Sequence, residues 1–396
     1  MSIGEKKWRP ATEAVRAGTA RSAHGETSEA IYLNSGFVYS TAEEAEARFT
    51  GELEGFVYSR YGNPTVDMFE KRMAAMEGAE ACFATASGMS AVFAALMSQL
   101  KTGDRVIGSR ALFGSCNHIL TQILPRFGIE TQLVDGADLD QWRSALAPGA
   151  KAVFLETPAN PTLELIDLPA VAELAHAAGA KVVIDNVFAT PMLQKPLQLG
   201  ADIVVYSATK HIDGQGRCLG GAVLADREFI DETLMPFLRH TGPSLSPFNA
   251  WVLLKGLETL PLRVQQQCDN AMKVARFLQS APGVSQVIYP GLDDFAQADI
   301  CKRQMSAGGT LVTMELAGGK DAAFNMMNAL GLIDISNNLG DSKSLITHPE
   351  TTTHRAMEEA DRRHIGISDG MLRLSVGLED AQDLIEDLGH ALRINS

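Results

Sequence analysis

The sequence predicts an α/β fold: a mostly parallel sheet covered by helices, a smaller C-terminal α/β domain and an N-terminal arm. Two observations lead to this prediction. Between about residues 63 and 255, helical stretches alternate with short apolar runs. After residue 256, a long helical segment leads into further apolar runs. The length of 396 residues is sufficient for two globular domains.

Three parts are expected along the chain. Residues 1–62 contain polar and glycine-rich stretches with weak periodicity, which predicts an arm rather than a domain. Residues 63–256 are predicted to form the larger, ligand-binding domain, and residues 257–396 the smaller one. The sequence has no internal repeat, so a solenoid is not expected.

The predicted strands of the larger domain are short and β-rich, and turn or polar residues bound each of them. They are Arg105–Gly108, KAVFLET from Lys151, KVVIDN from Lys181, DIVVYSA from Asp202 and GGAVLA from Gly220. The alanine-rich segment LPAVAELAHAAGA, from Leu168, predicts a crossover helix that ends near Gly179. In the smaller domain, strands are predicted at VSQVIYP, GTLVTMEL and MLRLSVG.

Composition excludes several classes of function. A net charge of −14 and a pI near 5.1 disfavour a nucleic-acid partner, which would need clustered Lys and Arg. No apolar run is long enough for a membrane span, and the opening MSIGEKKWRP does not resemble a signal peptide, so a soluble cytoplasmic protein is expected. The five cysteines are scattered, which predicts reduced thiols and no metal site.

An acid and a lysine follow neighbouring predicted strands. Asp185 ends VVIDN, and Lys210 follows IVVYSAT 25 residues later. Ligands of open α/β sheets bind at the carboxyl ends of the strands, so both side chains are expected in one crevice. A desolvated lysine there is an imine-forming nucleophile, and the acid could hold a pyridinium proton, which together predict pyridoxal 5'-phosphate bound as a Schiff base on Lys210. The alternative is two residues that cap strands or form a salt bridge.

Phosphate-binding groups are the second expectation. In TASGMSAVFAAL, Ser87 and Gly88 open a helix whose N–H groups suit a dianion, although the same pattern is often a simple N-cap. The hydroxyls of Ser207 and Thr209 would add donors. YSRYGNPT supplies a tyrosine donor and an arginine cation, or alternatively a surface arginine beside a turn.

Two further residues have open interpretations. Arg373 lies in the apolar strand MLRLSVG, where it needs an anionic partner, either a substrate carboxylate or a structural salt bridge. Phe113 is either a core residue or a ring that stacks on the cofactor. The segment GQGRCLGG lacks the full dinucleotide fingerprint, which disfavours a nicotinamide-dependent oxidoreductase. The third candidate function is an interaction protein that keeps the fold but has no catalytic activity.

The motifs YSRYGNPT, ASGMSA, ETPANP, VVIDN, YSATKHIDG, KSLITHP and LRLSVGLED occur here in that order. Together they resemble the Cys/Met-metabolism family of fold-type I pyridoxal-phosphate enzymes over nearly the whole chain. The resemblance implies a seven-stranded, mostly parallel sheet and a homotetramer built from two dimers. It also implies site residues in two groups. The cofactor-binding residues are Tyr58 and Arg60, acting in the neighbouring subunit, with Gly88, Met89, Phe113, Asn160, Asp185, Ser207, Thr209 and Lys210; the substrate-binding residues are Ser344 and Arg373.

Within the family, the reaction expected is γ-replacement: O-succinyl-L-homoserine and sulfide give L-homocysteine and succinate, in methionine biosynthesis. Phe113 stands where many lyases and synthases carry Tyr, so a tyrosine-assisted mechanism is not expected. Lys343 stands where Glu is common and could favour a succinyl group, or could be a solvated surface lysine. Cystathionine γ-synthesis and methionine γ-lysis are the alternatives on the same scaffold.

Overall fold

The computed structural model describes residues 8–393. Most of the opening segment that bears on a signal peptide therefore lies outside the described residues. The helices are α1 (Pro10–Arg16), α2 (Ala42–Thr50), α3 (Pro64–Glu77), α4 (Gly88–Met97), α5 (Gly114–His118), α6 (Leu139–Leu146), α7 (Leu168–Ala177), α8 (Thr190–Leu193), α9 (Met235–Thr241), α10 (Pro247–Leu278), α11 (Ala298–Gln304), α12 (Gly319–Asn328), α13 (Glu359–His364) and α14 (Ala381–Arg393). The strands are β1 (Ala81–Thr85), β2 (Arg105–Ser109), β3 (Glu130–Val134), β4 (Ala152–Glu156), β5 (Lys181–Asp185), β6 (Ile203–Ser207), β7 (Gly221–Ala225), β8 (Val284–Ile288), β9 (Leu311–Leu316), β10 (Asp334–Ile335), β11 (Leu345–Thr347) and β12 (Met371–Ser375).

The larger sheet has seven strands in the order β1-β7-β6-β5-β4-β2-β3. The strands from β6 to β3 run parallel to one another, and β7 is antiparallel to both of its neighbours. Apolar clusters cover both faces of this sheet, which explains why its central strands are apolar at every position. The predicted α/β fold with a mostly parallel seven-stranded sheet is confirmed.

Two strands of this sheet were not predicted from the sequence. They are the edge strands β1 and β3, and only the strands between them match predicted runs. In β3, three of the five residues are polar and its burial alternates, because an edge strand covered on one side needs no continuous apolar run. The crossover helix α7 lies where it was predicted, and Gly179 follows it with φ of +76°.

A second sheet of five strands, in the order β10-β11-β12-β9-β8, follows in the C-terminal part. Helix α10 connects the two sheets and is 32 residues long. The predicted boundary at residues 256–257 falls inside this helix, which contacts α3 at one end and α14 and β9 at the other. The division into an arm and two domains therefore stays a prediction about folding units.

Among residues 8–393, no helix combines the length and the apolar composition that a membrane crossing requires.

The N-terminal region is attached to the larger sheet layer by a buried ion pair. Arg72 on α3 is fully buried, and its guanidinium donates to Glu29 at 2.6 Å, to the Ala17 carbonyl at 2.9 Å and to the Thr19 hydroxyl at 2.8 Å. Burial alone would raise the pKa of Glu29, but hydrogen bonds from Lys255 and Arg72 outweigh it and lower this pKa to about 2. The segment from residue 17 to residue 29 is therefore held by charge as well as by packing.

Replacement of Glu29 should destabilise the protein strongly. We expect Glu29→Gln to lower the free energy of unfolding by about 2–4 kcal/mol at pH 7, because it leaves the buried Arg72 with only the longer, 3.8 Å pair to the partly exposed Glu258. Since the folded pKa of Glu29 is depressed, its contribution is present above pH 4.5 and is lost as the pH falls towards 2, so the two proteins should converge there. Urea denaturation at several pH values measures the difference.

The matched control is Asp140→Asn, which breaks the exposed pair between Asp140 and Arg143. Little change is expected there, because water screens exposed pairs. Equal effects of the two substitutions at pH 7 would show that the buried pair does not hold the arm.

Candidate active site

The carboxyl edge of the larger sheet brings Asp185 and Lys210 into one region. Asp185 is the last residue of β5 and is aligned with Val205 on the parallel neighbour β6. Lys210 follows β6 by three residues, and its Nζ donates to Oδ1 of Asn338 at 2.6 Å. The sequence analysis did not identify Asn338, because 128 residues separate it from Lys210.

Burial shifts the pKa values of both groups towards neutrality. The pKa of Lys210 is lowered to about 8, chiefly because burial disfavours the ammonium; Arg373 lowers it further and Asp185 opposes the shift. Burial also raises the pKa of Asp185 to about 6. A hydrogen bond from the Val187 N–H at 3.0 Å and the charge of Lys210 both lower this pKa, but they do not outweigh burial. An amine with this pKa is partly unprotonated near neutral pH and therefore able to act as a nucleophile or base.

The start of α4 packs directly against the strand that precedes Lys210. A Cβ on Gly88 would lie 2.5 Å from Cβ of Ser207, so only glycine allows this approach. Ser87 caps the helix by accepting from the N–H of Ser90 at 3.2 Å, while the first N–H groups of a helix have no partner within it. Gly88, Met89 and Ser207 are therefore adjacent at a helix N-terminus suited to a phosphate.

Thr209 lies in the same loop as Lys210. Its hydroxyl accepts from the N–H of Gly220 at 3.2 Å and is 3.4 Å from the carbonyl of the same residue. The hydroxyl is thus anchored near the start of β7, and it could donate to a phosphate by giving up its long contact with the Gly220 carbonyl.

A buried acid on the strand next to that of Asp185 holds the backbone of Phe113. Glu156 ends β4 and is aligned with Asp185 across the β4–β5 pair, and its Oε2 accepts from the N–H of Phe113 at 2.9 Å. Burial and the charge of Asp185 raise the pKa of Glu156 well above its usual value. The sequence analysis missed Glu156, although an acid that ends the strand next to the Asp185 strand was a detectable signal.

Arg373, on β12 of the second sheet, is almost fully buried and meets residues of both sheets. Its Nη1 donates to Oδ1 of Asn160 at 2.9 Å, and its Nη2 donates to the carbonyl oxygens of Asn337 and Asn338 at 3.0 and 3.3 Å. Its Nε is buried without a partner. Burial lowers its pKa to about 10, against the charge of Glu156. An arginine with an unused buried donor is suited to receive a carboxylate.

Three predicted residues contact other groups in this chain. The Ser344 hydroxyl donates to Glu379 at 2.9 Å and accepts from the N–H of Gly377. Tyr58 is 43% exposed, and the Arg60 guanidinium lies over the rings of Tyr58 and Tyr61 and donates to the carbonyl of Arg239. The roles of Ser344, Tyr58 and Arg60 stay predictions.

The residues at this edge fit pyridoxal phosphate. The fit requires an amine of lowered pKa, an acid for the ring nitrogen, an aromatic side chain for the ring face and free N–H groups for the phosphate, and Lys210, Asp185, Phe113 and the start of α4 supply these in turn. The close approach of Gly88 to Ser207 and the unpartnered Nε of Arg373 are the specific observations behind this fit. In residues 8–393, no group of His, Cys, Asp or Glu side chains is arranged to hold a metal ion.

Comparison with known proteins gives consistent matches over the whole length. The chain is 58% identical to an O-succinylhomoserine sulfhydrylase of Mycobacterium tuberculosis over 96% of its own length and 95% of the relative's. It is 48% identical to an O-succinylhomoserine sulfhydrylase of Pseudomonas aeruginosa over 96% of its length and 94% of that relative's.

The solved structure of a protein from Campylobacter jejuni, described as an O-acetylhomoserine (thiol)-lyase, superimposes on this chain with a TM-score of 0.93. The two sequences are 32% identical, and the match covers 98% of this chain and 100% of that protein. The Campylobacter structure carries N'-pyridoxyl-lysine-5'-monophosphate. The family model of Cys/Met metabolism PLP-dependent enzymes matches residues 11–393. With the geometry above, these matches show that the chain belongs to the Cys/Met metabolism PLP-dependent enzyme family.

Proposed function

We propose that the protein is an O-succinylhomoserine sulfhydrylase, which converts O-succinyl-L-homoserine and hydrogen sulfide to L-homocysteine and succinate in methionine biosynthesis. The observation that carries this proposal is the 58% identity, over nearly the full length of both chains, to a relative with that activity in its name. The site residues support the same class of chemistry, because they provide one buried amine and a buried arginine for an amino-acid substrate.

Lys210 is the residue that we propose for proton transfer. When bound, pyridoxal phosphate supplies an electron sink that stabilises negative charge on the substrate carbon next to the amino group. Lys210 removes a proton at Cα and moves protons at Cβ, so that the γ-ester can leave and sulfide can add at Cγ. Its pKa of about 8 suits both directions of transfer near neutral pH.

Phe113 restricts the reaction because its side chain cannot transfer a proton. Its ring offers a flat apolar surface for the cofactor but has no hydroxyl, so it neither donates nor accepts a proton. Of Phe113 and Lys210, only Lys210 can therefore transfer protons at the substrate carbons. This distinguishes the site from a tyrosine-assisted lyase mechanism.

Arg373 is proposed to bind the substrate carboxylate and to orient the reacting carbon, while Asn160, its partner in the structure, is proposed to contact the cofactor. The unpartnered Nε of Arg373 and its Nη2 lie on the same side of the guanidinium and form a fork that matches a carboxylate, once Nη2 exchanges the carbonyl of Asn337 or Asn338 for the ligand. Ser344 stays in the proposed substrate-binding group; its hydroxyl would have to exchange Glu379 for the substrate carboxylate in order to donate to it.

The active site is proposed to be shared between subunits of a homotetramer in the cytoplasm. Tyr58 and Arg60 would bind the cofactor phosphate of the neighbouring subunit, which agrees with their lack of contact with Lys210 in their own chain. The arm that carries them exposes large apolar side chains, among them Val38 at 96% and Leu33 at 71%. Such a surface is typical of a protein–protein interface.

Product analysis tests the proposed reaction. The purified enzyme, loaded with pyridoxal phosphate, should release homocysteine and succinate from O-succinyl-L-homoserine and sulfide, and Lys210→Ala should lower kcat at least about 100-fold because proton transfer is lost. Liquid chromatography of both products measures the rate. Consumption of O-succinylhomoserine with cysteine but not with sulfide would refute the proposal, as would methanethiol and α-keto acid from methionine as the main activity.

The pKa of Lys210 predicts the pH dependence of cofactor attachment. In cofactor-free protein, the rate at which added pyridoxal phosphate becomes fixed to Lys210 should rise with a midpoint near pH 8, because only the unprotonated amine reacts. Borohydride trapping followed by mass spectrometry of the Lys210 peptide gives the rate. A midpoint above pH 10, as for an ordinary lysine, would contradict the assignment.

Asn338→Asp is the matched variant for this measurement. It keeps the size and position of the side chain but places a carboxylate 2.6 Å from Nζ of Lys210 in place of the amide oxygen. The added negative charge favours the ammonium, so the midpoint should rise by about 1 pH unit or more. An unchanged midpoint would show that Asn338 does not control the amine.

A further inference from the structure

A large cavity adjoins the proposed cofactor site on its outer side. It has a volume of about 1020 Å³ and lies between the start of α4, the helical stretch from Gly114 to Ile123, and the segment at Thr353–Asp361. Met89, Gly114 and His354 form part of its wall. Because Met89 follows Gly88 and Gly114 follows Phe113, this part of the wall is next to the residues proposed for the phosphate and the ring.

Arg110 lines this cavity and lacks a charged partner. It follows β2 directly, and its N–H donates to the Val134 carbonyl at 2.7 Å, which fixes the backbone. Its Nη2 is 3.5 Å from the Leu133 carbonyl, at the limit of a hydrogen bond, and its Nε is buried with no partner. Within residues 8–393, no acid lies within ion-pair distance of its guanidinium.

An arginine in this state is costly unless a ligand satisfies it. Burying an unpaired donor disfavours folding, whereas a carboxylate can accept two parallel hydrogen bonds from the guanidinium. Glu358 and Asp361 also line the cavity, but on the opposite segment, so they would exclude an anion from that side. His118 is a further potential donor in the wall. The favourable position for an anion is therefore next to Arg110.

The distance between Arg110 and the reacting groups suits a substrate with a long acyl group. Arg110 extends β2, and β4 and β5 separate it from β6, the strand before Lys210, so the two strand ends are about 14 Å apart at roughly 4.8 Å per strand spacing, a gap that the substrate and two long side chains can span together. Seven bonds of about 1.5 Å join Cα of O-succinylhomoserine to its distal carboxyl carbon. Because the extended chain zigzags, the two atoms are roughly 9 Å apart. The acetyl ester ends two carbons earlier and carries no charge there.

We infer that Arg110 binds the distal carboxylate of the succinyl group and thereby selects O-succinyl over O-acetyl esters. This rests on the proposed function, because it names the specificity determinant of the same site. Lys343, the sequence-based candidate for this role, instead pairs with Asp341 at 2.8 Å, and its side chain is 58% exposed. Its charge is compensated by a neighbour, whereas that of Arg110 is not.

The test compares two substrates in three forms of the holoenzyme: wild type, Arg110→Gln and Arg126→Gln. The specificity ratio is kcat/KM for O-succinyl-L-homoserine divided by that for O-acetyl-L-homoserine, both with sulfide. Arg110→Gln should lower this ratio about 10- to 100-fold, as expected for loss of a charge-assisted pair. Arg126 is an exposed residue that does not line the cavity, so its variant controls for the change in net charge. An unchanged ratio in Arg110→Gln would overturn the inference.

Binding of succinate provides a readout that does not depend on turnover. In calorimetry with the holoenzyme, succinate should bind wild type at least about 10-fold more tightly than Arg110→Gln, whereas the affinity for acetate should differ little. Equal succinate affinities would also overturn the inference. If wild type forms no homocysteine from O-succinylhomoserine and sulfide, the proposed function fails and the inference with it; an unchanged ratio in an active enzyme refutes the inference alone.

Discussion

The burial of charged side chains at one edge of the larger sheet is the constraint on which the site depends. Asp185, Glu156 and Lys210 end or follow neighbouring strands, and Arg373 approaches from the second sheet. Away from water, their charges act on one another strongly, so each pKa depends on the others. The amine becomes reactive chiefly because burial disfavours its ammonium form, with Arg373 adding to this effect, and the buried Nε of Arg373 remains a donor for an incoming carboxylate.

Much of the fold could be predicted because its central strands are buried on both sides. Such strands form continuous apolar runs, and all five predicted runs of the larger sheet are strands in the structure. The edge strand β3 escaped prediction since solvent reaches part of it and its residues are mostly polar. The helix α10 begins nine residues before the predicted boundary because packing against both sheet layers, rather than a local signal, determines its length.

The site was predictable where its residues follow strands. Asp185 and Lys210 could be paired from the order of the strands alone, and Gly88 from the turn before α4. Asn338 could not, since its contact with Lys210 joins parts of the chain 128 residues apart and depends on how the second sheet docks. Ser344 shows the converse: a residue in a recognised motif whose hydroxyl is committed to Glu379.

The contacts of Asn338 and Arg373 bridge the two sheets, which has a mechanical consequence. Asn338 and Arg373 come from the C-terminal part, whereas Lys210 and Asn160 come from the larger sheet layer. A small breathing motion between the halves would lengthen both contacts at once, freeing the amine as it loosens the grip on a carboxylate. Both contacts depend on the same relative position of the two sheets, so release of the lysine and loss of a bound carboxylate would be coupled to a single movement.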